Sequence, residues 1–249
     1  MKVRSLLMFA LVVAGCGART ALPGETRAQA ASVECRPNGN GKALPRVVLA
    51  GTLRDFHDTH PDFESFIGAD PGIVEGVLGI DDEPVYAGQD GNPSTHGRDA
   101  FDQWYHDVAG VNESADGQIT LSQASYSEPD VYGFRDDEFF PLDGELFGNE
   151  GREHNFHFTL ELHGTFEYLG REVLDFTGDD DMWVFINRRL AIDLGGVHAS
   201  ESAAIDLDAH AAELGIERGE IVPLALFFAE RHTTASTFDV ELHDFVVCQ

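Results

Sequence analysis

The chain has 249 residues, with 44 Asp and Glu against 16 Lys and Arg, for a formal charge of -28 at neutral pH. So acidic a protein repels nucleic acid and anionic lipid, which argues against both as partners, and it is compatible with cation binding and life outside the cell. Its length suits one large all-β domain or two small ones.

The first residues read as a targeting segment. Lys2 and Arg4 form a positive start, and residues 5–14 form an apolar run too short to span a bilayer. Val13-Ala14-Gly15-Cys16 resembles a bacterial lipobox, so residues 1–15 are expected to be a lipoprotein signal peptide and Cys16 the lipidated residue. By that resemblance, the absence of Asp after Cys16 favours delivery to an outer membrane or cell surface. Residues 16–45 are polar, rich in Ala, Gly, Pro and Thr, and lack periodicity, as expected of a flexible tether. Residues 46–249 then form the domain. Cys35 and Cys248 are the remaining cysteines, and in an oxidising compartment an even pair suggests a disulfide.

Within the domain, residues 47–52 predict a first strand and the loop that follows carries His57 and His60. These are read as solvated or capping histidines, since no third metal ligand accompanies them. Phe101, Trp104, Tyr105 and Val108 recur at helical spacing, which predicts a helix over 99–108 docked on a sheet. Asn112 to Ile119 resembles half of an EF-hand loop, but Gln123 stands where the closing Glu belongs. A hairpin turn with Asp116-Gly117 at its tip is the expectation. Residues 155–168 alternate as a strand, with Phe156, Phe158, Leu160 and Leu162 on one face and His157, Thr159, Glu161 and His163 on the other. The second face suggests either a zinc or iron site or the wet face of a sheet. No second strand offers His and carboxylate at matching spacing, so the wet face is expected. Residues 202–215 contain a short helix capped by Asp206 or Asp208 and stopped by Gly215, residues 222–229 a buried strand, and residues 238–247 a last strand.

Residues 174–198 hold the densest chemistry. Asp179, Asp180 and Asp181 stand together between Gly178 and the apolar run 182–186, which reads as a buried strand. Asn187-Arg188-Arg189 is the turn of a hairpin, and 190–194 returns. Three adjacent carboxylates repel one another, so a rigid strand end carrying them calls for a hard cation or a ligand's donors. The polar loop 230–237 is the second such concentration beside the core.

This segment resembles the signature of the fibro-slime domain, a bacterial relative of the protective-antigen-type β-sandwich. Thr52-Leu-Arg-Asp-Phe with His60-Pro-Asp-Phe63, Phe101-Asp-Gln-Trp-Tyr105, Phe139-Phe-Pro-Leu-Asp143, Asn155-Phe-His-Phe158 and Phe227-Phe-Ala-Glu-Arg-His-Thr-Thr234 recur in that order. The resemblance implies a mainly antiparallel all-β fold, a β-sandwich or jelly-roll-like barrel with one or two short helices. It also implies calcium as cofactor, held by Asp179, Asp180 and Asp181, and carbohydrate or matrix glycan as partner, contacted by Glu230, Arg231, His232 and Thr237. The membrane would be met through the lipid anchor alone. Fibro-slime relatives carry Gly-Ser-Asn where this chain has Ala235-Ser236-Thr237, which removes an amide oxygen suited to calcium. Two alternatives are a calcium-stiffened spacer without glycan binding and a hydrolase. The hydrolase needs a second carboxylate across a cleft, since adjacent aspartates cannot serve each other. The sequence carries no Gly-x-Ser-x-Gly, HExxH or phosphate-binding loop, so a non-enzyme is expected.

Overall fold

The computed structural model of the protein describes Cys35 and residues 46–248 apart from 89–91 and 126–127. The expected signal peptide, Cys16 and the tether other than Cys35 lie outside the described residues. Within them, no helix is long and apolar enough to cross a membrane.

The fold is mostly antiparallel β. In chain order the elements are β1 (Arg46–Phe56), β2 (Gly68–Ala69), α1 (Arg98–Phe101), β3 (Asn112–Ser125), β4 (Glu128–Asp136), β5 (Phe158–Glu167), β6 (Val173–Asp179) and β7 (Asp181–Ile186). There follow β8 (Arg189–Leu194), β9 (Gly196–Val197), β10 (Glu201–Asp206), α2 (Leu207–Leu214), β11 (Ile221–Glu230), β12 (Thr237–His243) and β13 (Val246–Cys248). One sheet runs β10-β6-β12-β4-β3-β1-β5-β11-β7-β8, with β13 also on β5. Its end strands β8 and β10 approach each other, so the sheet nearly closes on itself.

Inside the nearly closed sheet lies the main core, which includes Leu160, Leu162, Phe176, Val184, Phe228, Phe238 and Val240. Every residue of β7 is buried, because both of its faces are covered, the condition that gives a strand a continuous apolar sequence. Met182, Val184 and Ile186 point into the main core. Trp183 and Phe185 point outward into a second core with Ile73, Phe101, Trp104 and Tyr105. The chain between β1 and β3 is therefore a cover laid over the outer face of β7 and β11.

That cover explains two differences from the sequence reading. The apolar stripe does dock on a sheet, but regular helix ends at Phe101 rather than near residue 108. Asn112 provides the reason: its Nδ2 donates to Gln103 O and His106 O at 2.9 Å each, and its Oδ1 accepts from Val108 N at 2.9 Å. Tertiary packing and one amide side chain override the local propensity. The face of β5 bearing His157, Thr159 and Glu161 is likewise buried, not wet. Thr159 Oγ1, for example, donates to Trp104 O at 2.6 Å.

Asp116-Gly117 is not a hairpin tip. Both residues lie inside β3, opposite Thr52 and Gly51 of β1. A Cβ on Gly51 would collide with the Glu161 carbonyl of the next strand, so close strand approach accounts for the glycine. The final strand is also not continuous. Asp244 adopts a left-handed conformation with φ 61°, and β13 turns away to pair with residues 165–167 of β5, beyond the stretch that β1 occupies. There Cys248 is disulfide-bonded to Cys35.

The β7–β8 hairpin forms as its sequence requires, with Asn187 and Arg188 both at positive φ (50° and 64°), the conformation of a tight two-residue turn. Asp206 caps α2 by accepting from Asp208 N and Ala209 N, and Gly215 closes it at φ 66°.

Candidate functional site

The site grows from two crossovers laid side by side. β6 pairs with β12 on one side of the molecule and β7 pairs with β11 on the other. The chain passes from β6 to β7 through Asp180 alone, and from β11 to β12 through residues 231–236. Asp179 is thus the last residue of β6, opposite Thr237, and Asp181 the first of β7, opposite Ala229. The aspartates straddle two strands where the sequence suggested one strand end. A Cβ on Gly178 would strike Met182 Sδ and Thr237 O, so only glycine permits the corner to close.

All of its acids are buried: Asp179, Asp180, Asp181 and Glu230. The Asp179–Asp180 peptide bond is cis. Asp179 Oδ1 accepts from Thr237 N at 2.5 Å, and Asp180 Oδ2 from Arg231 N at 3.0 Å. Asp181 has both oxygens engaged, Oδ1 by Gly196 N at 2.6 Å and Oδ2 by Arg231 Nε at 2.5 Å.

Among the described residues, Arg231 is the single guanidinium bonded to any of these four acids. Its Nη1 donates to Asp62 O (3.1 Å) and Ser94 O (2.7 Å), and its plane lies 4.7 Å from the Trp104 ring. Asp62 in turn accepts from Trp104 Nε1 at 3.0 Å and from His96 N at 2.6 Å. The outer cover is therefore fastened to the corner by the same side chain that neutralises Asp181. No part of Arg231 reaches solvent, so the direct ligand contact expected from the sequence gives way to a supporting position. His232, also expected at the ligand, stands with Nε2 3.5 Å from Glu64, whose Oε1 accepts from Thr233 N and bonds His157. Glu64 and Ser94 carried no signal in the sequence, and Asp62 and Trp104 stood out only within family motifs and an apolar stripe, since nothing local connects any of them to Arg231 so far along the chain.

One positive charge does not balance four negative ones. Burial, then repulsion from Asp181, pushes the Asp180 carboxyl up to about 7. Burial raises Asp179 as well, and burial with the charges of Asp180 and Asp179 drives Glu230 well above the carboxylate range. Glu230 Oε2 and Ser236 Oγ are buried with no well-formed hydrogen bond, and the hydroxyl lies close enough to Glu230 to favour its charged form. Such atoms are uncommon in folded proteins and point to a missing proton or cation. Asp179, Asp180, Glu230 and Ser236 all carry oxygen, the donor set of a hard cation.

Comparison with known proteins places this corner within a domain. Residues 146–244 match the PA14 domain. The PA14 match takes in β5 to β12, and with them Asp179, Asp180, Asp181, Glu230, Arg231 and Ser236; β1, β3, β4 and the cover lie before it. The chain is 38% identical over 198 residues to Protein psiR of Dictyostelium discoideum, covering 73% of this chain and 19% of psiR. It is 36% identical over 211 residues to Protein psiD of the same organism, covering 78% of this chain and 40% of psiD. The chain thus spans about a fifth to two fifths of these relatives. A PA14 sugar-binding domain from an RTX adhesin is similar at 11% identity and TM-score 0.28, over 46% of this chain and 71% of that one, too loose a superposition to carry an argument.

Proposed function

We propose that the protein is a surface module of fibro-slime type that binds carbohydrate through a calcium ion held at the corner between β6 and β7. Asp179, Asp180 and Glu230 would hold the ion with Ser236, and Thr237 would border it. Asp181 is reassigned from metal ligand to counter-ion of Arg231, because both its oxygens are already engaged. The observation that carries the reading is the buried surplus of carboxylate, together with the poorly satisfied Glu230 Oε2 and Ser236 Oγ. A dication drawn between them would supply charge to the acids and a partner to those oxygens. Calcium takes six to eight oxygens at about 2.3–2.6 Å, so vicinal sugar hydroxyls can complete a shell that protein oxygens leave open. The sugar itself is inferred from the protective-antigen-type resemblance noted in the sequence. Ser236 keeps the serine of the fibro-slime pattern, and Thr237 stands where those relatives carry Asn, with a hydroxyl oxygen in place of the amide. Lipidation at Cys16 and display outside the cytoplasm belong to the same proposal.

The test is a glycan array probed with the disulfide-bonded domain in calcium and in chelator, beside an Asp179→Asn/Asp180→Asn variant. Calcium-dependent binding to a sugar class, lost in the variant, is the expected result. Calcium-dependent stability without any sugar bound would leave the spacer reading, and indifference to calcium would remove both.

A further inference from the structure

A second group of potential ligands lies outside the acidic corner, at the edge of the covered face of β5. Of the three potential metal ligands expected on that face, His157 is taken: its Nε2 lies 3.0 Å from Glu64 and its Nδ1 3.5 Å from Glu150. Glu161 and His163 are joined instead by Glu83, from the cover between β1 and β3. One ligand atom from each of Glu83, Glu161 and His163 lies within 4.8 Å of the others. We propose that Glu83, Glu161 and His163 form a binding site for a divalent transition metal ion of the zinc class, separate from the calcium corner.

Three observations support this. The Glu161 side chain is almost wholly buried, and its Oε2 faces the buried carboxyl of Glu83 with no well-formed hydrogen bond to either Oε2 unless the two carboxyls share a proton. Two carboxylates brought together away from water need either a shared proton or a cation between them. The only guanidinium ion-paired with either of them among the described residues is Arg54, with Nη1 3.2 Å from Glu161 Oε2 and Nε committed to Asp107 at 2.9 Å. It offsets one charge and leaves the second.

The imidazole decides which cation. A calcium or magnesium site is built of oxygen, whereas one imidazole with two carboxylates is a set that zinc accepts. His163 is exposed, so an ion can reach its ring, and partial desolvation lowers its basicity. Burial and the neighbouring Glu161 push Glu83 up to about 9, as fits a carboxylate awaiting a partner. Access exists on two sides. A cavity of about 370 Å³ opens beside Glu83, lined also by Asp81, Arg98 and His106. Another of about 310 Å³ reaches His163, with Arg188 and Phe185 in its wall. Three protein ligands would leave at least one position for water.

The competing account is a proton shared by Glu83 and Glu161, and zinc titration of the disulfide-bonded chain against a chromophoric chelator separates the two. The panel is wild type, Glu83→Gln, His163→Ala, His210→Ala as an exposed-histidine control, and Asp179→Asn/Asp180→Asn. Circular dichroism verifies folding of each. Expected is one zinc equivalent, weakened roughly tenfold or more in Glu83→Gln and His163→Ala and unchanged in the other two. Cobalt in place of zinc should give a visible spectrum that His163→Ala alters. The proposal is overturned if Glu83→Gln and His163→Ala bind zinc as the wild type does. It is equally overturned if wild type binds no zinc and Glu83→Gln merely raises the unfolding temperature, the mark of a proton-sharing pair.

Discussion

Arg231 Nε lies 2.5 Å from Asp181 Oδ2, and neither side chain has any contact with solvent. An ion pair so placed adds little by itself, because both charges gave up hydration to form it. Breaking it from one side is costly, because the remaining charge stays buried. Arg231→Met is therefore expected to destabilise the protein by about 3–5 kcal/mol, measured by urea unfolding. Adding Asp181→Asn to that variant should restore part of the loss. If the two substitutions are merely additive, the pair is not coupled.

Asp179→Asn/Asp180→Asn should act in two opposite ways. Without calcium it relieves repulsion in the corner and should leave stability equal or higher. With calcium at a hundredfold excess over Kd, wild type should gain about 2.7 kcal/mol, and the variant nothing. Thermal unfolding in calcium and in chelator reads both arms.

The corner also sets a pH dependence. Asp179, Asp180 and Glu230 all have folded pKa values above their unfolded ones, that of Asp180 about 7. Between the unfolded carboxylate range near 4 and pH 7 the folded state holds more protons than the unfolded state. Stability of the calcium-free protein must therefore fall as pH rises through that window, with a slope of up to about 1.4 kcal/mol per unit from Asp180 alone. Calcium competes with those protons, so its affinity should rise over the same interval. Denaturant titrations at pH 5, 6 and 7 in chelator would count against the corner if stability instead increased.

The Cys35–Cys248 bridge closes a sequence separation of 213 residues. In the chain-entropy model such a loop contributes about 5 kcal/mol as an upper figure. Reduction, or Cys248→Ser, should lower the unfolding midpoint accordingly, and oxidised and reduced samples on one urea gradient provide the comparison.

The sequence was most informative where local chemistry decides the structure. Asn187-Arg188 turns the β7–β8 hairpin, Asp206 and Gly215 bound α2, and the residues of the acidic corner stand out by their density. It was least informative where the answer depends on a distant partner. Nothing near Arg231 announces that it is shared among Asp181, Ser94 and Asp62. Nothing near Glu83 places it against β5. The helix over 99–108 failed for the same reason, as Asn112 and the Trp104 pocket hold those residues in turns. His157, Thr159 and Glu161 alternate like a wet face, and become buried only because the cover folds over them, while His163 stays exposed.

The disulfide has a mechanical consequence. Cys35 precedes the first strand, Cys248 ends the last, and one covalent bond joins them. Tension applied along the chain from before Cys35 to beyond Cys248 passes through sulfur and bypasses every hydrogen bond of the sheet. A force on those two points extends the chain by nothing while the bond lasts, and the acidic corner keeps its geometry under load.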